Sequence, residues 1–207
     1  AVVSFFGIET IDASRLVVLL LFGANTFLTA ILIRKLTKNW IAGMIGAVFF
    51  LLSEPFLRLH SFALSEPLYL FLTLLALMFL IQFQERSHWG FLAGAGLVTG
   101  LAFLTRYVGA SLYLVAFLVI SYTSKSWSRW FRHGVLFSLT SLPLVAVWVV
   151  RNMLLSGNAT NRPVLWHPLE RDVIQEGLIN FWGWLWPETG GFLDRLFSLG
   201  VAGVILI

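Results

Sequence analysis

The stretch RLVVLLLFGANTFLTAILIRK, residues 15–35, contains an unbroken charge-free run from Leu16 to Ile33, bounded by Arg15 and Arg34. At about 1.5 Å per helical residue, such a run is about 27 Å long, close to the roughly 30 Å of a bilayer's hydrocarbon core. It reads as a membrane-spanning helix. Further charge-free runs cover 67–84, 87–105, 107–124 and 133–150. A sixth run, from Asn39, is interrupted by Glu54, and a seventh begins near Leu196. With 58% hydrophobic and 12% charged residues and a mean hydropathy of +0.87, the chain lies outside the balance of a water-soluble domain and is an integral membrane protein.

Composition also removes several function classes. There is no cysteine, so neither a disulfide framework nor a thiolate metal site is available. The net charge of +4 fits basic loops. No basic stripe interleaved with aromatics points to nucleic acid. His60 and His167 lack ligand spacing, and no protein-bound cofactor or metal site is evident. The lipid bilayer is the first partner the composition implies.

The pattern predicts an all-α, polytopic bundle of about six complete helices at 15–34, 40–58, 64–83, 88–105, 108–122 and 133–153. Residues 1–153 form this bundle, 154–191 an extracytoplasmic loop, and 192–207 the start of a further span. Without an initiator Met or a finished last helix, the chain reads as a piece of a longer protein. Trp40, Trp89, Trp127, Trp130 and Tyr122 stand where apolar runs give way to polar residues, as interfacial anchors do. Within the loop, PLERDVIQEGLINFWGWLW, residues 168–186, places Leu169, Val173, Ile174, Leu178, Phe181, Trp182 and Leu185 on one side of a 3.6-residue period. It reads either as an interfacial helix on the outer leaflet or as a helix packed on its own bundle.

Lys and Arg divide evenly between the two faces of an alternating bundle, but all three lysines, Lys35, Lys38 and Lys125, fall in short loops of one face. Short-loop clusters set orientation, so that face is placed in the cytoplasm. The opposite face then carries residues 54–66, Arg106, Arg151 and the 154–191 loop, in a plasma or inner membrane.

That outer face collects the charges. The triplet Ser-Glu-Pro occurs at 53–55 and again at 65–67. Pro55 kinks or ends the second helix, whereas Pro67 suits the first turn of the third. A carboxylate at hydrocarbon depth costs on the order of 2.5–3.5 kcal/mol, so Glu54 needs a partner or a wet cavity. Arg58, one turn on, supplies an internal ion pair that would hold the kink. Glu66 stands at the positive end of its helix, either as a dipole cap or as a working carboxylate. Arg106 interrupts an otherwise charge-free stretch, and Arg151 ends the sixth helix, where snorkelling is the ordinary explanation. Taken together, Glu66, Arg58, Arg106 and Arg151 predict a pocket for a phosphate beside a carboxylate, because guanidinium is a bidentate partner of phosphate oxygens. Gly96 and Gly100, in GAGLVTG, lack the setting of a dinucleotide fingerprint and form instead a small-residue face for close helix contact.

Three segments resemble the GT-C superfamily of polyprenyl-phosphate-sugar-dependent membrane glycosyltransferases, which includes protein mannosyltransferases and lipid A aminoarabinose transferases. They are LRLHSFALSEPLYLFLTLLAL (57–77), GLVTGLAFLTRYVG (96–109) and PLVAVWVVRNMLLSGNATNRP (143–163). The resemblance implies inverting transfer of a sugar from a polyprenyl phosphate to an extracytoplasmic hydroxyl, with a base taking the acceptor proton and cations holding the departing phosphate. By position, Glu66 would be the catalytic acid residue and Arg106 the phosphate partner, with Arg151 and Arg58 as further phosphate ligands. The family's main catalytic Asp belongs to a loop upstream of Ala1, so the resemblance implies that these residues alone do not catalyse. The alternative is an accessory role beside other membrane subunits; a transporter would require broken helices or an internal repeat.

Overall fold

The computed structural model describes residues 10–61, 65–159 and 172–177. The chain divides into two compact units, Ala1–Arg162 and Pro163–Ile207. Among the described residues of the first, seven α-helices follow in order: α1 (Thr10–Thr37), α2 (Trp40–Leu52), α3 (Glu54–Ser61), α4 (Glu66–Arg86), α5 (Trp89–Thr105), α6 (Ser111–Thr123) and α7 (Trp127–Ser156). A short 3-10 turn, Tyr107–Ala110, joins α5 to α6. In the second unit, residues 172–177 are helical, with Val173 and Ile174 exposed. The rest of the expected interfacial helix and the expected span from 192 lie outside the described residues.

The all-α membrane bundle read from the sequence is the fold observed, with corrected boundaries. α1 begins at Thr10, where Asp12 complements the helix dipole, and ends beyond Arg34 and Lys35, which complement the other end. α7 begins at Trp127 rather than near 133, because Ser126 caps it by accepting from the Arg129 amide. α1, α4 and α7 are long and apolar enough to cross a membrane. α2 and α3 make a fourth span only as a pair bent by 58° at Ser53. α5 and α6 are shorter, because Arg106 and the 3-10 turn divide the apolar run between them.

Turn chemistry explains the tight ends on the lysine side. Lys38 and Ser87 adopt left-handed backbone (φ 54° and 51°), and Asn39 and His88 cap the following helices by accepting from the Ile41 and Gly90 amides. α2, α1, α4, α5 and α7 lie in a row of neighbours, with α6 against α4 and α7. Core side chains such as Leu80, Phe83, Leu92, Ala95, Ala116 and Phe137 fill the space between α4, α5, α6 and α7.

The glycine face of α5 makes this packing possible. A Cβ at Gly100 would stand 2.7 Å from the Ser141 carbonyl, and one at Gly96 would stand 2.8 Å from that of Phe137. Both obstacles are backbone of α7, which cannot swing aside as a side chain can. Gly100→Val is therefore expected to destabilise the bundle by about 1–3 kcal/mol. Thermal unfolding in detergent should show that loss and no comparable one for Gly134→Val, whose Cβ meets nothing within 4 Å.

Candidate active site

Glu66 occupies the first turn of α4, with Pro67 at its second position. Pro has no amide hydrogen to lose there, and the carboxylate meets the positive end of the helix dipole. Arg106 is the C-cap of α5; its extended backbone (φ −151°, ψ 137°) breaks the helix, while its own amide still donates to the Ala102 carbonyl. The Gly109 amide closes the 3-10 turn onto the Arg106 carbonyl at 2.9 Å. These two helix ends bring the guanidinium Nη1 to 2.5 Å from Glu66 Oε1. The pair is partly buried, with side-chain exposures of 39% for Arg106 and 25% for Glu66.

The depth of this pair follows from α1. Asn25 is fully buried, and its Nδ2 donates to the Pro67 carbonyl at 3.0 Å. Counted along α1, Asn25 is ten residues from Arg15 and nine from Arg34, about 15 Å and 14 Å. Thus the start of α4 stands level with the middle of the charge-free span. α4 is itself long enough to cross a membrane and starts at Glu66, so the pair stands at an end of the α4 span, where Glu66 and Arg106 satisfy each other.

Asn25 makes a second contact. Its Nδ2 lies 3.0 Å from His60 Nε2, and His60 Nδ1 lies 2.7 Å from the Phe56 carbonyl. A carbonyl only accepts, so Nδ1 carries the proton and Nε2 accepts from Asn25. The reversed amide would set oxygen against two acceptors, which fixes its orientation. Asn25 Oδ1 is buried with no partner among the described residues. Phe22, Phe50 and Phe56 surround the imidazole or stack beside it, and hold α3 against α1 and α2.

The other two predicted phosphate ligands have different surroundings. Arg58 Nη2 sits 2.6 Å from Glu54 Oε1 within α3, the internal pair that the spacing predicted, and both side chains are more than half exposed. Arg151 lines an apolar hollow of about 490 Å³ with Val147, Val150, Leu154 and Leu155 of its own helix. The structure thus brings together Glu66 and Arg106, and leaves Arg58 and Arg151 without a recorded contact to either. Beside Arg106, the rings of Phe103, Tyr107 and Trp148 form an edge-to-face cluster with centroids 5.7–6.4 Å apart.

Sequence reasoning missed Asn25, took His60 as isolated, and read the second span's kink without the separate helix α3. An amide at the midpoint of a charge-free run was the available signal. A hollow of about 370 Å³ between α1 and α3 reaches His60 and Ser61, with Arg15 at its edge. The roomiest hollow described, about 720 Å³ between α6 and α7, has no charged lining residue and does not reach Glu66. Among the described residues, no three His, Asp or Glu side chains gather as metal ligands.

Residues 2–150 match the model of the dolichyl-phosphate-mannose-protein mannosyltransferase family. The chain belongs to that family. It is a membrane glycosyltransferase of the GT-C type. The matched segment contains Asn25, Glu54, Arg58, His60, Glu66 and Arg106 and ends one residue before Arg151. No curated protein and no solved structure matches the chain.

The geometry separates the two ion pairs energetically. An exposed pair within one helix, such as Glu54–Arg58, contributes about 0.5 kcal/mol or less. The partly buried Glu66–Arg106 pair joins two helices, and a double-mutant cycle with Gln at both positions should give a coupling of about 1–3 kcal/mol. Chemical unfolding in detergent measures both cycles, and equal couplings would contradict the assigned burial.

Proposed function

We propose that this chain carries the donor-phosphate end of a glycosyltransferase site, which moves a sugar from a polyprenyl-phosphate carrier to an acceptor hydroxyl outside the cytoplasm, with inversion. The observation that carries the reading is the partly buried Glu66–Arg106 pair between two helix ends. In such a transfer the acceptor oxygen attacks the anomeric carbon, and the bond from that carbon to the phosphate oxygen breaks, leaving its electron pair on phosphate. The hydroxyl proton passes to a carboxylate base. Arg106 is suited to the charge that grows on phosphate, because a preorganised guanidinium in a low-dielectric setting needs little rearrangement.

Glu66 holds that guanidinium in place before the donor arrives. When phosphate takes over Arg106, the Glu66 carboxylate is released beside the acceptor, so a single exchange of partners readies both groups. Arg58 and Arg151 are further headgroup contacts in this reading, Arg58 after leaving Glu54. The lysine-bearing loops face the cytoplasm, which sets Glu66 and the 154–191 loop on the extracytoplasmic side of a plasma or inner membrane.

The second reading, an accessory role beside other membrane subunits, draws support from the self-satisfied state of both ion pairs. Kinetics separate the two. In the intact membrane protein, Arg106→Ala is expected to lower kcat/KM for a lipid-phosphate-linked sugar by about 10²–10³-fold, and Arg58→Ala by less than about tenfold. Unchanged kinetics in Arg106→Ala would remove the catalytic reading. For orientation, these 207 residues contain no cysteine, so a single cysteine introduced among them reports its own position. Ser61→Cys should react with an impermeant maleimide from outside, and Ser126→Cys only after the membrane is opened.

A further inference from the structure

Asn25 has no place in the chemistry proposed above, yet it is the most deeply buried polar side chain at the level of the site. Its two amide hydrogens are both committed, one to His60 Nε2 and one to the Pro67 carbonyl, each at 3.0 Å. The two acceptors belong to different helices, α3 and α4. They flank the connection whose last described residue, Ser65, immediately precedes Glu66. No other side-chain hydrogen bond among the described residues ties α1 to α3 or to the first turn of α4.

We propose that Asn25 is the positioning residue of the Glu66–Arg106 pair: by holding the Pro67 carbonyl, with His60 as its second anchor, it fixes the depth and rotation of the α4 start. The lever is short. Pro67 follows Glu66 directly, the Cα atoms of neighbouring residues are about 3.8 Å apart, and the ring fixes φ near −65°. A shift of the Pro67 carbonyl therefore moves the Glu66 carboxylate by a similar amount. A salt bridge at 2.5 Å tolerates little of that, and catalytic alignment tolerates less.

Besides the packing of the fully buried Pro67 ring, the α4 start is held by few polar contacts. Ser65, at the N-cap position, makes no side-chain cap hydrogen bond, so the usual device for fixing a helix entrance is missing. Pro67 cannot donate from its backbone. The Asn25 carboxamide supplies from a neighbouring helix the restraint that the cap does not. His60 matters because its ring, held by the Phe56 carbonyl and packed on Phe22 and Phe50, prevents the carboxamide from turning.

This inference rests on the reading of Glu66 and Arg106 as the reacting pair, and its test has a part that does not. The Glu66–Arg106 double-mutant cycle is measured by unfolding of the intact protein in detergent, once with Asn25 and once in Asn25→Leu. A coupling of about tenfold in the unfolding constant is expected to fall below about twofold in Asn25→Leu. His60→Gln, which keeps an acceptor near the Nε2 position, should retain the coupling, whereas His60→Leu should lose about half of it on a logarithmic scale.

In the transfer assay with a polyprenyl-phosphate-linked mannose as probe, Asn25→Leu should lower kcat at least tenfold with donor KM changed less than threefold. An unchanged coupling in Asn25→Leu overturns the inference, whatever the kinetics. If Asn25→Leu does not fold, His60→Leu carries the test, and failure of both to fold assigns Asn25 to bundle assembly and also overturns it. Loss of coupling together with unaltered transfer in Arg106→Ala would sink the catalytic reading and leave the positional role of Asn25 intact.

Discussion

A guanidinium and a carboxylate half-buried at the ends of two apolar helices persist by satisfying each other or by meeting water. The contact between Arg106 and Glu66 meets that constraint, and much of the surrounding architecture follows from it. To reach Glu66, Arg106 must leave the helix, so α5 ends there in extended backbone and α6 starts after a 3-10 turn. α4 begins level with the middle of the charge-free run of α1, and the buried amide of Asn25 marks that level. The shortness of α5 and α6 is thus the consequence of a polar group set among them.

Long helices flank short ones as a result. α1 continues about 20 Å from Asn25 to Asp12, and α7 runs on for several residues past Trp148, which packs beside Tyr107. Between them the ends of α4 and α5 stop early. The bent pair α2–α3 adds a short helix whose apolar side packs on aromatic rings and whose Glu54–Arg58 pair faces outward.

Rigidity in this arrangement comes from backbone contact more than from side-chain bulk. Hydrocarbon gives helices no hydrophobic reason to associate, so close approach at Gly96 and Gly100 supplies packing that larger residues would prevent. α5 is thereby pinned to α7 along one face and to α4 along another. Arg106 is fixed at the end of a rod that cannot slide freely. Glu66 is fixed by a different route, through Pro67 and the amide of Asn25. The pair therefore forms between two independently held helix ends, which is the condition for preorganisation rather than for a pair that merely finds itself.

The sequence by itself determined the fold class, the order of the spans, the glycine seam of α5 and the pairing of Glu54 with Arg58. Each of these follows from periodicity, run length or spacing within a few residues, which are properties of a one-dimensional chain. The tertiary structure decided which charge meets which across helices, and it joined Glu66 to Arg106. It also gave Asn25 and His60 a shared purpose. An amide in an apolar run looks the same whether it faces lipid or a neighbour; only the lateral order of the helices supplies the acceptors that distinguish the two. Depth was hidden for the same reason: counting residues measures length along one helix, whereas the level of α4 against α1 is set by a contact between residues far apart in the chain.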